Sequence, residues 1–299
     1  MRNIRTDLAL EAKELWHENA DEQSEIYGVI ADEEKVFGHK VHRVKIINKA
    51  GEDALGKRQG NYITLELSGV SRREEDVFPR AIRALSDELK QIMPNSTGDV
   101  LVVGLGNRGI TPDAVGDGVV RKVMVTRHLI EKIPQYFKDF RPVSAITPGV
   151  LGMTGVESRE IISGVVEKVK PCCIIVIDAL ATRKTTRLCN TVQITDTGIV
   201  PGSGVGNART EISEKTIGVP VIAIGVPTVV DISTIIFDIE KACGINFPNN
   251  ITEEYGESLM VTPKEIDTNI EDISKIIGYA INTTLQPDIS ISDMDMFLS

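Results

Sequence analysis

Four continuous apolar runs most narrow the folds open to this 299-residue chain: DVLVVGLG (99–106), PVSAIT (142–147), PCCIIVIDAL (171–180) and VPVIAIGVP (219–227). Each is short and bounded by Gly or Pro, and none alternates polar with apolar residues. Strands of that kind must be covered on both faces, as parallel strands beneath helices are. The stretches between them, DAVGDGVVRKVMVTRHLIEK (113–132) and SREIISGVVEKVK (158–170), carry apolar residues at helical spacing. Strands alternating with helices predict an α/β fold: a twisted, mostly parallel sheet sandwiched by helices. Aromatic residues are 4% of the chain, so its core rests on Val, Ile, Leu and Ala.

The N-terminal third reads differently. IYGVIADEE (26–34), HKVHRVKIIN (39–48) and NYITLEL (61–67) predict antiparallel strands, an N-terminal β extension covering about residues 24–70. Helices are predicted over 74–93, from Val77, Ile82, Leu85, Leu89 and Ile92, and over 264–285 after Pro263. Leu8, Leu10, Ala12, Leu15 and Trp16 give helical spacing near the start of the chain, within the stretch RTDLALEA (5–12). Those eight residues alone leave two readings open, the first turn of a helix or a site of cleavage.

Charge and cysteine content narrow the function classes. With 33 basic against 43 acidic residues the net charge is −10. Such a chain gains no counterion release on DNA or RNA, which argues against direct nucleic-acid binding. Cys172, Cys173, Cys189 and Cys243 form no CxxC pair and read as reduced core thiols of a cytosolic protein. No apolar run reaches the roughly 20 residues of a membrane span. The N-terminus lacks a signal-type apolar region, so a cytoplasmic protein is expected.

GLGNRG (104–109) follows a predicted strand and matches G-x-G-x-x-G. A dinucleotide site would also need a helix starting on the glycines and an acidic residue ending the next strand. Here Ile-Thr-Pro follows, the helix is expected from Pro112 with Thr111 as its cap, and the next strand ends in Thr147-Pro148. The placement of carboxylates is more informative. Ligands of open α/β sheets collect beyond the carboxyl ends of the strands. Asp178 closes the run CCIIVID and Asp113 lies in the turn after strand 99–104, at the same edge if the two strands are parallel. Either could instead be structural, as a helix-terminal charge or a loop cap.

His17, His39, His42 and His128 show no metal-ligand spacing, with His39 and His42 expected on a solvated hairpin, and no G-x-S-x-G elbow is present. Two glycine-rich loops, PGVLGMTG (148–155) and TGIVPGSGVGNAR (197–209), follow predicted strands and could offer N–H groups to an anion or a peptide carbonyl, or simply be tight turns.

Together the strings RTDLALEA, GLGNRGITPDAVG, VTRHL, RPVSAITPGVLGMTG, IIVIDALATR, PGSGVGNAR, VPVIAIGVPTVVD and LMVTPKEID closely resemble the germination proteases of endospore-forming bacteria, peptidase family A25. They occur in the family's order and span residues 5 to about 267. The resemblance implies an endopeptidase that begins degradation of small acid-soluble spore proteins at germination. It further implies a homotetrameric zymogen, in the cytoplasm of the forespore and then the spore core, that removes its own short propeptide. Cutting after Glu or Asp, before a hydrophobic residue followed by Ala, is implied as well. Asp7-Leu8-Ala9 has that order, so residues 1–7 are expected to be the propeptide, cut between Asp7 and Leu8, and residues 8–299 a single peptidase domain. The acidic residue preferred four places before the cut is Ile4 here, and the segment from Phe247 to Met260 is shorter than in other members.

The fold implied is that of the hydrogenase maturation peptidases. The family's two essential aspartates map by motif onto Asp113 in TPDAVG and Asp178 in IDALATR. No cofactor or metal is implied. Recognition of an acidic side chain calls for a cation, and Arg183 and Arg209 are the candidates for its bidentate capture. Two other readings stay open: a metal-dependent peptidase of the hydrogenase-maturation type, and a non-catalytic binding module.

Overall fold

The computed structural model describes residues 6–19, 25–245 and 259–298. Nine strands build one mixed sheet: β1 (Val29–Val36), β2 (His39–Ile46), β3 (Gly60–Glu66), β4 (Val100–Gly104), β5 (Val143–Ile146), β6 (Cys173–Ala181), β7 (Thr191–Thr195), β8 (Val221–Asp231) and β9 (Met260–Val261). The spatial order is β1-β2-β3-β7-β8-β6-β4-β5, with β9 paired to the end of β8. The four apolar runs become β4, β5, β6 and β8, which pair in parallel. The N-terminal strands extend that sheet in antiparallel fashion through β7 rather than forming a separate layer.

Alternate residues of the parallel strands face opposite cores, which is why these strands show no polar alternation. Val100, Val102, Ile175 and Ile177 join the core beneath helices α3 (Val77–Ile92), α4 (Val115–Val120) and α7 (Ile266–Leu285). Leu101, Val103, Ile174 and Val176 pack on the other face with Ile162 and Val166 of α5 (Ser158–Val169). A third cluster lies on the β extension, where Ala9 of α1 (Ala9–Asn19) meets Val44, Ile46, Tyr62 and Leu55 of α2 (Lys49–Leu55).

Three expectations need correction. The helical pattern over 113–132 is broken: α4 ends at Val120 and a new helix starts only at Arg127. The intervening backbone is claimed by tertiary partners, Met124 N donating to Asn282 Oδ1 at 2.8 Å and Thr126 Oγ1 accepting from Val143 N at 3.0 Å. Tertiary hydrogen bonds outweigh the local period here. The run ending in Asp178 does not end the strand, because β6 continues to Ala181 along β8. Finally, His39 is buried rather than solvated, and desolvation pushes its imidazole below the usual pKa.

All four cysteines are free, but only Cys173 is buried, while Cys243 is exposed near the end of α6 (Ile232–Cys243). The shortened segment between Phe247 and Met260 lies, up to Ser258, outside the described residues. No helix among the described residues is long and apolar enough to cross a membrane.

Candidate active site

Strand lengths create the site. The last pair of β4 with β6 joins Gly104 to Ile177, so the following residue, Asp178, emerges on β6 just where its neighbour stops. Beyond β4 the chain turns through the glycine motif, and Gly106 takes φ +96°. A Cβ there would sit 2.1 Å from the Asp113 carbonyl oxygen and 2.9 Å from its Oδ1. The glycine thus serves to let the short 3-10 turn Thr111–Asp113 fold back onto the strand end, and Asn107 N donates to Asp113 Oδ2 at 2.8 Å.

Asp113 and Asp178 line one cavity of about 500 Å³, whose wall also includes Asp7, Leu105, Ser203 and Arg209. Asp178 is 5% exposed, and among the described residues its carboxylate accepts one hydrogen bond, from Ala179 N at 3.0 Å. Burial, then the charge of Asp113 and that of Asp7, push its pKa well above the ordinary carboxylate value. Burial raises Asp113 as well, with the Asn107 N–H pulling the other way. Two carboxyls whose surroundings differ in this way hold their protons unequally, the condition for one to act as acid and its partner as base.

Asp7 is held at the rim of this cavity. Its N–H donates to Ala181 O at 3.1 Å, and Ala181 N donates back to Asp7 Oδ2 at 2.9 Å. Ser203 Oγ donates to Asp7 Oδ1 at 2.9 Å. Gly204 makes room, since a Cβ on it would lie 2.0 Å from Asp7 Oδ2. Leu8 and Ala9, the next two residues, are completely buried.

Glu11 then anchors the start of α1. It accepts from Thr182 Oγ1 at 2.7 Å, from the N–H groups of Arg183 and Lys184 at 2.7 and 3.0 Å, and from Arg187 Nη1 at 3.0 Å.

The two expected cations part company. Arg209 lines the cavity from the glycine-rich loop. Arg183 is buried away from it, its guanidinium bound to Glu18 of α1 at 3.0 Å and to Asp238 of α6 at 2.7 Å. The structure does not bring Arg183 to Asp7; neutral donors, the Ala181 N–H and the Ser203 hydroxyl, hold the acidic side chain there instead. Ser203 lies in the loop 197–209 singled out for its glycines, but nothing in the sequence marked the serine itself. Among the described residues no three His, Cys, Asp or Glu side chains are grouped as a metal-ligand set.

A sequence model of the germination protease family matches residues 9–247. The chain belongs to the germination protease family. A germination protease of Caldanaerobacter subterraneus subsp. tengcongensis is 46% identical, covering 99% of this chain and 98% of its own. That of Clostridium tetani is 43% identical over 99% and 100% of the two chains, and one from Bacillus cereus is 39% identical over 96% and 95%. Membership of the germination protease family makes the chain a peptidase. Among solved structures, a NiFe hydrogenase maturation protease, HycI, from Thermococcus kodakarensis covers 65% of this chain and 99% of its own, at 16% identity and a TM-score of 0.36.

Proposed function

We propose that this chain is a spore endopeptidase made as a zymogen, which cuts itself between Asp7 and Leu8 and, in its mature form, begins the breakdown of small acid-soluble spore proteins. In this reading residues 1–7 are the propeptide and residues 8–299 the peptidase domain. The protein works as a homotetramer in the forespore and spore-core cytoplasm, cutting after Glu or Asp before a hydrophobic residue followed by Ala.

One observation carries it. The Asp7-Leu8-Ala9 segment is seated at the cavity of Asp113 and Asp178, with the acidic side chain hydrogen-bonded and both following side chains out of water.

Asp113 and Asp178 supply the chemistry. Asp113 keeps an N–H donor to its carboxylate and is the member that ionises; it takes a proton from the attacking water. Asp178, crowded by burial and by two other carboxylates, keeps its proton and delivers it to the departing amine. The hydrophobic residue and the Ala after the cut suit sites like those that enclose Leu8 and Ala9.

Incubating the purified chain with a small acid-soluble spore protein, with and without a strong chelator, tests this reading by mass spectrometry of the fragments. Cleavage after Glu or Asp that survives the chelator is expected. Dependence on metal would favour a peptidase of the hydrogenase-maturation type, and no cleavage even after removal of residues 1–7 would favour a binding module.

A narrower expectation concerns the acid-binding pocket. Ser203→Ala removes one hydrogen bond to a carboxylate, worth about 1.5–3 kcal/mol, so self-cutting should slow roughly tenfold to a hundredfold. An unchanged rate by gel densitometry would remove Ser203 from that role. Arg209→Glu, measured on peptides with Glu or Gln before the cut, should weaken the preference for Glu; an unaltered ratio would exclude Arg209.

A further inference from the structure

Asp7 lines a second cavity as well, of about 310 Å³, whose wall includes Lys57, Tyr62, Gln193 and Thr195. Asp7 therefore borders both the cavity of the two aspartates and one lined by a different set of polar groups. Lys57 Nζ donates to the carbonyl oxygens of Thr6 at 3.2 Å and Asp7 at 3.0 Å. Gln193 Nε2 donates to the same Asp7 oxygen at 3.3 Å, while its Oε1 accepts from Ala9 N at 2.8 Å. The Ala9 N–H fixes which end of that carboxamide is which, so the amide nitrogen must face Asp7.

We propose that Lys57 and Gln193 are further catalytic residues of self-processing: an electrophilic clamp that holds the Asp7 carbonyl oxygen and takes up the negative charge that builds on it when the Asp7–Leu8 bond is attacked. This inference rests on the reading that the chain cuts itself at Asp7–Leu8.

The placement of Lys57 argues for it. The residue follows Gly56, which ends α2 in the left-handed conformation and turns the chain toward β3. Lys57 forms no salt bridge among the described residues, and its ammonium is aimed at two main-chain carbonyls. Burial disfavours that charge, while the nearby carboxylates of Asp7 and Glu11 favour it. A partly buried cation is costly unless it is bonded, and a stabilising role alone would be met by pairing it with a carboxylate. A preorganised cation on a carbonyl oxygen interacts more strongly once that oxygen becomes an alkoxide, which is the requirement for accelerating the bond cleavage.

Gln193 contributes alignment. It projects from β7, where it pairs with Gly225 of β8 and Thr64 of β3. Its carboxamide spans from the Asp7 carbonyl to the Ala9 N–H, holding both flanks of the bond at once. The division of labour is then complete. Water oxygen bonds to the Asp7 carbonyl carbon and gives a proton to the aspartate pair, while the C=O π electrons move onto the oxygen held by Lys57 and Gln193. Those electrons return, the C–N bond breaks, and the Leu8 nitrogen receives a proton from the pair. One water is consumed, and the new α-carboxylic acid of Asp7 passes its proton to the Leu8 amine, leaving an α-carboxylate and an α-ammonium group.

The test follows self-cutting of full-length chains by intact mass, comparing wild type with Lys57→Met, Lys57→Arg and Gln193→Leu. Loss of one oxyanion donor lowers turnover by roughly 10²–10³-fold, and that is expected for Lys57→Met, with Lys57→Arg recovering part of the rate and Gln193→Leu intermediate.

A second readout separates polarisation from mere packing and does not require turnover. Asp7–Leu8 is the one Asp-Leu pair in the sequence, so a 13C′-Asp, 15N-Leu sample gives a single carbonyl–amide cross-peak. In an Asp178→Asn background, added to keep the bond intact, Lys57→Met should move that carbonyl resonance upfield. An unmoved resonance, or a folded Lys57→Met chain that cuts at the wild-type rate, overturns the clamp; if that variant does not fold, the same outcomes for Gln193→Leu do so. A wild-type chain that never cuts at Asp7–Leu8 overturns the processing reading itself and the clamp with it.

Discussion

Asp178→Asn should lower peptide turnover by roughly 10²–10⁴-fold while making the folded chain more stable at neutral pH. The first effect follows from the loss of a proton donor whose shape is otherwise kept. The second follows from linkage. Burial, Asp113 and Asp7 raise the folded-state pKa of Asp178 well above its unfolded value, so the folded state holds a proton that the unfolded chain releases. Stability is then lost as pH rises from the ordinary carboxylate range through the raised value. Asparagine does not titrate and is free of that loss. Thermal unfolding between pH 5 and 8 should show a falling midpoint for wild type and a flatter one for Asp178→Asn. Equal pH profiles, or a variant with wild-type turnover, would show that Asp178 neither titrates abnormally nor serves as the acid. A catalytic group that lowers stability in its own pocket is a common feature of active sites.

Glu11→Ala should produce the largest loss of stability from a single substitution in the N-terminal helix. The side chain is 1% exposed and satisfies two backbone N–H groups, the Thr182 hydroxyl and the Arg187 guanidinium. Truncation leaves those donors buried, with Arg187 keeping only Glu14 as its partner among the described residues. Breaking a buried pair from one side costs about 3–5 kcal/mol. In a chain of this length that lowers the thermal midpoint by roughly 6–10 °C.

Self-cutting should fall as well, because the anchor fixes the segment that holds Asp7 and Leu8. A shift under 2 °C by calorimetry would mean that α1 is not held by Glu11. The same attachment responds to acid. Burial works against the Glu14 charge, yet hydrogen bonds and charges from Arg187 and Lys184 hold its pKa below the ordinary value. The stabilisation is therefore present above the unfolded-state pKa and is lost as pH falls through the lowered one.

The frame was legible because buried parallel strands advertise themselves: Val, Ile and Leu on both faces leave no polar alternation to misread. The parallel half of the sheet follows from those runs, and the Asp178 position is visible as the one charge inside the run 171–180. Asp113 was legible as a turn carboxylate at the same edge, and the motif around it pointed to the same residue.

Contacts made across long sequence separations were not legible. Arg183 looked available for substrate because Glu18 and Asp238 come from helices that only the fold sets beside it. Ser203 and Gln193 are ordinary polar residues until β6 and β7 place them around Asp7. Nothing local marks Lys57 until the fold brings the Thr6 and Asp7 carbonyls to it. The broken helix over 113–132 has the same origin, since Asn282 and β5 supply partners that no local pattern announces.

Intact-mass measurement of freshly purified full-length protein over time, for wild type, Asp113→Asn and Asp178→Asn side by side, bears most directly on the carboxylate pair. Wild type should shed residues 1–7 and gain a new amino terminus at Leu8, while each variant, folded to the same extent, should stay at full mass over at least a hundredfold longer time. Loss of the same seven residues from either variant at the wild-type rate would contradict the account.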